Sequence, residues 1–240
     1  MALSVVDRPP PLETAQAGMV APVVYKLPAT AGWRARCAHR ALRLCGWQIR
    51  FDGILPAPRG VIVAYPHTSN WDFFIGLATI WALELPIRWA GKESLFTGWF
   101  GEFIGPMLRR WGGRPVFRAQ PTGMVEQLAQ TMAAEPWFWL ALSPEGTRRR
   151  LEHWRSGFYH LARRAQVPVG LAFFDFVRCE VGICGWVDLT GDVEADMARI
   201  AAAYAGRRGR FPAGESPVRL EPFGAGGRHG LVSGESFTAR

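Results

Sequence analysis

The chain has 240 residues, 49% of them hydrophobic, and carries 28 Lys plus Arg against 20 Asp plus Glu, for a formal charge of +8. That length and apolar content exclude a disordered or fibrous chain and suit one domain with its own hydrophobic core. The cationic excess points to a phosphate-bearing partner, whether nucleic acid, anionic lipid or a phosphorylated cofactor.

In chain order, residues 1–30 hold a proline run ending at Pro11 and no sustained periodicity, which predicts a flexible arm. Residues 33–50 read as one amphipathic helix. Cys37, Ala38, Ala41, Leu42, Cys45 and Ile49 share one face, and Arg36, Arg40, Arg43 and Arg50 share the other. Such a helix either lies in an anionic membrane interface or caps the domain. Beyond Gly60, short apolar runs alternate with longer helical stretches, the pattern of an α/β domain with a mainly parallel central sheet flanked by helices. Strands are predicted at 61–65, 87–90, 115–117, 137–142 and 167–176. The intervening helices are predicted at 70–85, 98–111, 122–134 and 156–165, with a last one at 192–204. Residues 207–240, rich in Gly, Pro and Arg and containing Arg207, Arg208 and Arg210, read as a poorly ordered tail. The catalytic domain is therefore drawn at 31–206.

Eleven Trp and 15 Phe fit either an aromatic belt at a membrane surface or a Trp-rich core. Cys37, Cys45, Cys179 and Cys184 lack zinc-type spacing and read as small buried hydrophobes in a reduced cytoplasmic setting. No apolar run approaches the ~20 residues of a spanning helix, so contact with a membrane would be peripheral, on its cytoplasmic face.

Three clusters fall at turns next to strands, where ligands gather in open α/β sheets. The first is His67-Thr68-Ser69-Asn70-Trp71-Asp72, with Asn70 as the expected N-cap. A carboxylate facing one imidazole nitrogen leaves the other free to take a proton, whereas a solvated His and an Asp at a helix start would have the same spacing. The five-residue offset suits neither zinc nor di-iron ligation, and Gly-x-Ser-x-Gly is absent, so a substrate hydroxyl, amine or water would be activated directly. The second is Pro144-Glu145-Gly146-Thr147-Arg148, in which Arg148 offers a planar fork to phosphate and Glu145 can orient it or accept a substrate hydroxyl. The third runs from Gly113 through Arg118.

Taken in order, these runs resemble the glycerolipid acyltransferase family that includes lysophosphatidate acyltransferases. His67 and Asp72 match its His-x-x-x-x-Asp block, Gly113 to Arg118 its second, residues 144–148 its Pro-Glu-Gly-Thr-Arg block, and Val167-Pro168-Val169 its fourth. Lys92 is similar to a basic residue between the first two blocks. The resemblance implies an enzyme with His67 as base and Asp72 as its orienter. It implies that Lys92, Gly113, Arg118, Glu145, Gly146, Thr147 and Arg148 bind substrate. Acyl-CoA or acyl carrier protein would be the donor, a lyso-lipid such as 1-acylglycerol-3-phosphate the acceptor, and a membrane surface the setting, with no resident cofactor, no metal and no nucleic acid. Phe117 and Arg149 depart from the family's usual acidic and small hydroxyl residues, which leaves the acceptor open. A non-catalytic basic module binding anionic lipid or RNA, or a thioesterase-like or N-acyl transferring variant, is the competing reading.

Overall fold

The structure, a computed structural model, describes residues 23–51, 54–116 and 121–220. Its elements in chain order are α1 (Trp33–Leu44), β1 (Gln48–Arg50), β2 (Arg59–Tyr65), α2 (Trp71–Leu83), β3 (Ile87–Lys92), α3 (Gly98–Arg110), β4 (Gly113–Val116), α4 (Pro121–Ala134), β5 (Phe138–Leu142), α5 (Gly157–Ala165), β6 (Val169–Asp175), β7 (Glu180–Val187) and α6 (Val193–Tyr204). The strands form one sheet in the order β1-β7-β6-β2-β5-β3-β4, and only the β6/β7 pair is antiparallel. The expected mainly parallel sheet flanked by helices is thus observed.

Two cores sandwich the sheet. On one face Met132, Phe158, Leu161 and Ile200, from α4, α5 and α6, pack on Val61, Val63, Leu140 and Leu171. On the other, Ala38, Leu42, Ile75 and Ala82 of α1 and α2 cover Ile62, Trp139 and Ile183. Leu77, Trp89, Phe96 and Leu108 extend that second layer under α3. Central parallel strands buried on both faces need continuous apolar runs, which is why residues 61–65 and 138–142 are so legible.

The run 33–50 is not one helix. Its helix stops at Leu44, Gly46 turns the chain at φ +81°, and β1 follows. Trp47, Ile49 and Phe51 alternate inward with period two, a strand pattern that an eighteen-residue helical wheel conceals. The arm's boundary also moves: Tyr25 N–H donates to Ile49 O at 2.9 Å and Phe51 N–H to Val23 O at 2.9 Å, so the segment before α1 lies antiparallel beside β1. Residues 1–22 lie outside the described residues. Of the cysteines only Cys184 is buried; Cys179 is half-buried, and Cys37 and Cys45 are exposed on or just after α1.

Strand β7 has no counterpart in the sequence reading, because Gly182 and Gly185 interrupt its apolar pattern. Asp175 makes the turn into it, its Oδ1 accepting the N–H groups of Val177 at 3.1 Å and Arg178 at 3.2 Å. The expected tail boundary at 206 is also displaced. Trp154 N–H donates to Arg219 O at 2.8 Å, Leu220 is buried, and Pro212–Gly214 forms a 3-10 turn. A Gly/Pro-rich composition signals disorder only where the backbone lacks partners, and here its polar groups are individually bonded.

Candidate active site

The carboxyl ends of β2, β5, β3 and β4 share one edge of the sheet. The turn leaving β2 carries His67 and leads into α2, whose first turn holds Asp72. Asp72 is fully buried, and its Oδ2 lies 3.1 Å from His67 Nδ1 and accepts the Ser69 N–H at 2.8 Å. Its Oδ1 is buried without a hydrogen-bond partner. The His67 side chain remains 22% exposed, so the imidazole is held at one edge and open at the other. Ser69, not Asn70, meets the helix end. Its Oγ accepts the Trp71 N–H at 3.2 Å, whereas Asn70 is exposed and already in the helical backbone region with no side-chain cap.

The turn leaving β5 corrects one expectation. Glu145 neither orients Arg148 nor faces the site, because it is fully buried and both oxygens accept backbone N–H groups. His67 donates to Oε2 at 2.8 Å and Ser216 to Oε1 at 3.1 Å. Burial pushes the Glu145 carboxyl above its ordinary range, and these N–H bonds only partly counter it. The residue is a clamp between the turn that carries His67 and the chain beyond α6. Gly146 follows with φ +61° and turns the chain outward. Thr147 Oγ1 accepts the Arg149 N–H at 3.3 Å, and Arg148 is exposed and forms no ion pair among the described residues.

Lys92 is exposed at the carboxyl end of β3, in register with Val116 at the end of β4. Gly113 stands at the opposite end of β4, paired with Trp89. A Cβ there would lie 2.8 Å from the Leu108 carbonyl oxygen and 2.8 Å from the Trp89 ring, so the absence of a side chain allows close packing at this position. Arg118 lies outside the described residues. Val167-Pro168-Val169 leads into β6 and contributes the Pro168 carbonyl, which accepts the Val61 N–H at 3.1 Å.

Several residues at the site escaped the sequence reading. Ser216 is fully buried; its carbonyl accepts the Tyr65 hydroxyl at 2.9 Å and its Oγ the Leu151 N–H at 3.0 Å. Burial, with the Glu215 and Glu145 carboxylates nearby, pushes the Tyr65 phenol up to about 12, so it stays a donor. Thr68 Oγ1 accepts the Phe211 N–H at 3.1 Å. Tyr65 and Ser216 lie 151 residues apart in the chain, Thr68 and Phe211 143, and Leu151 and Ser216 65, and no local pattern announces them.

A family model described as acyltransferase matches residues 48–170, just over half of the chain. No curated protein matches it. Among solved structures, the chain is similar to the 1-acyl-sn-glycerophosphate (LPA) acyltransferase of Thermotoga maritima, at 16% identity over 69% of this chain and 72% of that one, with a TM-score of 0.47.

Proposed function

This chain belongs to the acyltransferase family and is an acyltransferase, and we propose that it moves a fatty acyl group from a thioester to the hydroxyl of a lysophospholipid-like acceptor. The donor is acyl-CoA or acyl carrier protein, and the acceptor is of the 1-acylglycerol-3-phosphate kind. The observation that carries the reading is the 3.1 Å approach of His67 Nδ1 to buried Asp72, with the other edge of the ring open. With Nδ1–H directed at the carboxylate, Nε2 is the proton acceptor. The acceptor hydroxyl gives its proton to Nε2, its oxygen bonds to the thioester carbonyl carbon, and the C–S bond breaks. The leaving thiolate takes the proton back from the imidazolium. No resident cofactor is required, since the acyl group arrives activated.

Lys92, Thr147 and Arg148 supply exposed or half-exposed donors along the same sheet edge, suited to a phosphate. Holding both substrates in line can contribute up to roughly 7–11 kcal/mol in ideal cases. The test is to incubate purified protein with acyl-CoA, acyl carrier protein thioesters and a panel of lyso-lipids, and to identify products by mass spectrometry. An acylated lyso-lipid is the expected product. Free fatty acid without acylated lipid would make water the acceptor and sink the proposal.

The same reading puts the enzyme on the cytoplasmic face of a membrane, as a peripheral protein. Among the described residues no helix is long and apolar enough to cross a bilayer. Helix α1 is not the interfacial element expected of residues 33–50, since Ala35, Ala38 and Leu42 are buried, the last two in the α1/α2 core layer. The support comes from α3. Trp99, 91% exposed, and Phe103, 88% exposed, line up with Met107 at four-residue steps, and Trp71 and Phe74 are exposed on the first turn of α2. Both helices start at the edge that carries His67, and the chain's +8 charge complements an anionic bilayer. A Trp99→Ser/Phe103→Ser double variant should lose about tenfold or more of its partition onto anionic phospholipid vesicles, measured by sedimentation. Unchanged partition would remove α3 from the interface.

A further inference from the structure

The chain beyond α6 lies outside both the family match and every motif of the sequence, yet residues 207–216 cross the site edge as a strap. The strap is anchored at each end. Phe176 N–H donates to Arg208 O at 2.8 Å, and the Glu215 carboxylate accepts the Gly209 N–H at 2.8 Å and the Arg208 guanidinium at 3.2 Å. Ser216 ties the far end to Glu145, Tyr65 and Leu151.

The strap touches both catalytic-edge turns. A Cβ on Gly209 would lie 2.6 Å from Thr68 Oγ1 and 3.2 Å from Pro66 Cβ, so the backbone there is pressed onto the turn that carries His67. Phe211 N–H binds that same Thr68 Oγ1. Gly214 approaches the other turn, where a Cβ would lie 3.2 Å from the Arg148 carbonyl oxygen.

Two of the three strap arginines are engaged. The Arg207 guanidinium sits 3.5 Å from the centre of the Phe173 ring, and Arg208 pairs with Glu215. Arg210 is exposed, forms no ion pair among the described residues, and lies 5.8 Å from the Phe211 ring. It is bracketed by Gly209 and Phe211, both seated on Thr68, the neighbour of His67. A strap that seats the backbone on either side of Arg210 against the turn carrying His67, and leaves its guanidinium without an ion pair among the described residues, is suited to an anion brought to that turn.

We propose that Arg210 is a phosphate-binding residue of this site, joining Lys92 and Arg148, and that the strap fixes it beside the base. The phosphate comes from one of two sources, the acceptor's headgroup or the coenzyme A of the donor. Naming those sources rests on the proposed acyl transfer; the pairing of guanidinium with phosphate does not.

The experiment measures equilibrium binding of two probes, a short-chain 1-acylglycerol-3-phosphate below its aggregation concentration and coenzyme A, to wild type, Arg210→Ala and Arg210→Lys. Acyl-transfer kinetics run alongside. Arg210→Ala should weaken one probe about tenfold or more, with partial recovery in Arg210→Lys. Weakening of the lyso-lipid alone assigns the acceptor phosphate, and weakening of coenzyme A alone assigns the donor. Equal affinity of wild type and Arg210→Ala for both probes overturns the proposal. A fall in kcat with both affinities intact overturns it too, because the strap would then position the base only. Wild type that binds a probe but transfers no acyl group would refute the proposed function and leave the Arg210 comparison decisive.

Discussion

Replacing His67 with Ala should lower acyl transfer by roughly 10²–10⁴-fold, the usual worth of a positioned general base, while leaving the fold in place. The fold survives because the His67 link to Glu145 uses the backbone N–H, which alanine keeps. The imidazole is partly exposed and fills no core layer, so its removal leaves no sealed cavity. Asp72→Asn should cost less, about 10–100-fold, the loss of one charge-assisted contact. The reason is local: Asp72 uses a single oxygen, Oδ2, both for the Ser69 N–H and toward His67 Nδ1. An asparagine carbonyl at that position keeps both contacts, whereas its amide would replace the unpartnered Oδ1. The ring stays oriented and only the stabilisation of the imidazolium is lost. The check is kcat/KM for both variants beside their thermal unfolding. His67→Ala activity within a few-fold of wild type would end its assignment as base.

The contrast between what the sequence discloses and what it hides follows from the range of the interactions. Strand β2, the helix after it and the dyad spacing are local facts: an apolar run, a turn and a carboxylate five residues beyond a histidine. They survive without knowledge of any partner. Strand β1 is hidden because its three residues acquire a strand's meaning only beside β7, and β7 because its glycines blur the alternation. The sequence alone assigns Glu145 to orienting Arg148 or accepting a substrate hydroxyl, because a glutamate two residues before Thr-Arg at a turn has no visible partner of its own. Its burial is produced by Ser216, 71 residues downstream, which the sequence offers as one serine in a Gly- and Pro-rich stretch. Gly113 shows the same limit: a glycine at a turn signals close approach but does not say by what, and here the Trp89 ring and the α3 backbone make that approach. The residues proposed to do chemistry are thus local and legible. Those that hold them are distant and are not.

That division makes Glu145 the more revealing substitution. Glu145→Gln should reduce acyl transfer by about 10–100-fold with only a small change in melting temperature. An amide offers one carbonyl oxygen and one NH₂ group, so either the His67 or the Ser216 N–H loses its acceptor and faces a donor. The lost bond and the unsatisfied donor cost about 1–3 kcal/mol. Against this, glutamine removes a buried charge that the fold already disfavours, as the raised carboxyl pKa indicates. The two effects largely offset in stability but not in geometry, and a shift of about 1 Å at a reacting group can cost 10²-fold in rate. The pH dependence carries the sign. The folded state holds the Glu145 proton more tightly than the unfolded chain, so this group favours folding at low pH. That contribution is lost as pH rises from the ordinary 4.5 toward the raised value. In Glu145→Gln this decline should vanish, so denaturation midpoints compared across that window should fall less steeply for the variant than for wild type. Parallel pH profiles would show that the carboxyl is not held above its ordinary range, and wild-type turnover would show that the clamp does not set the position of His67.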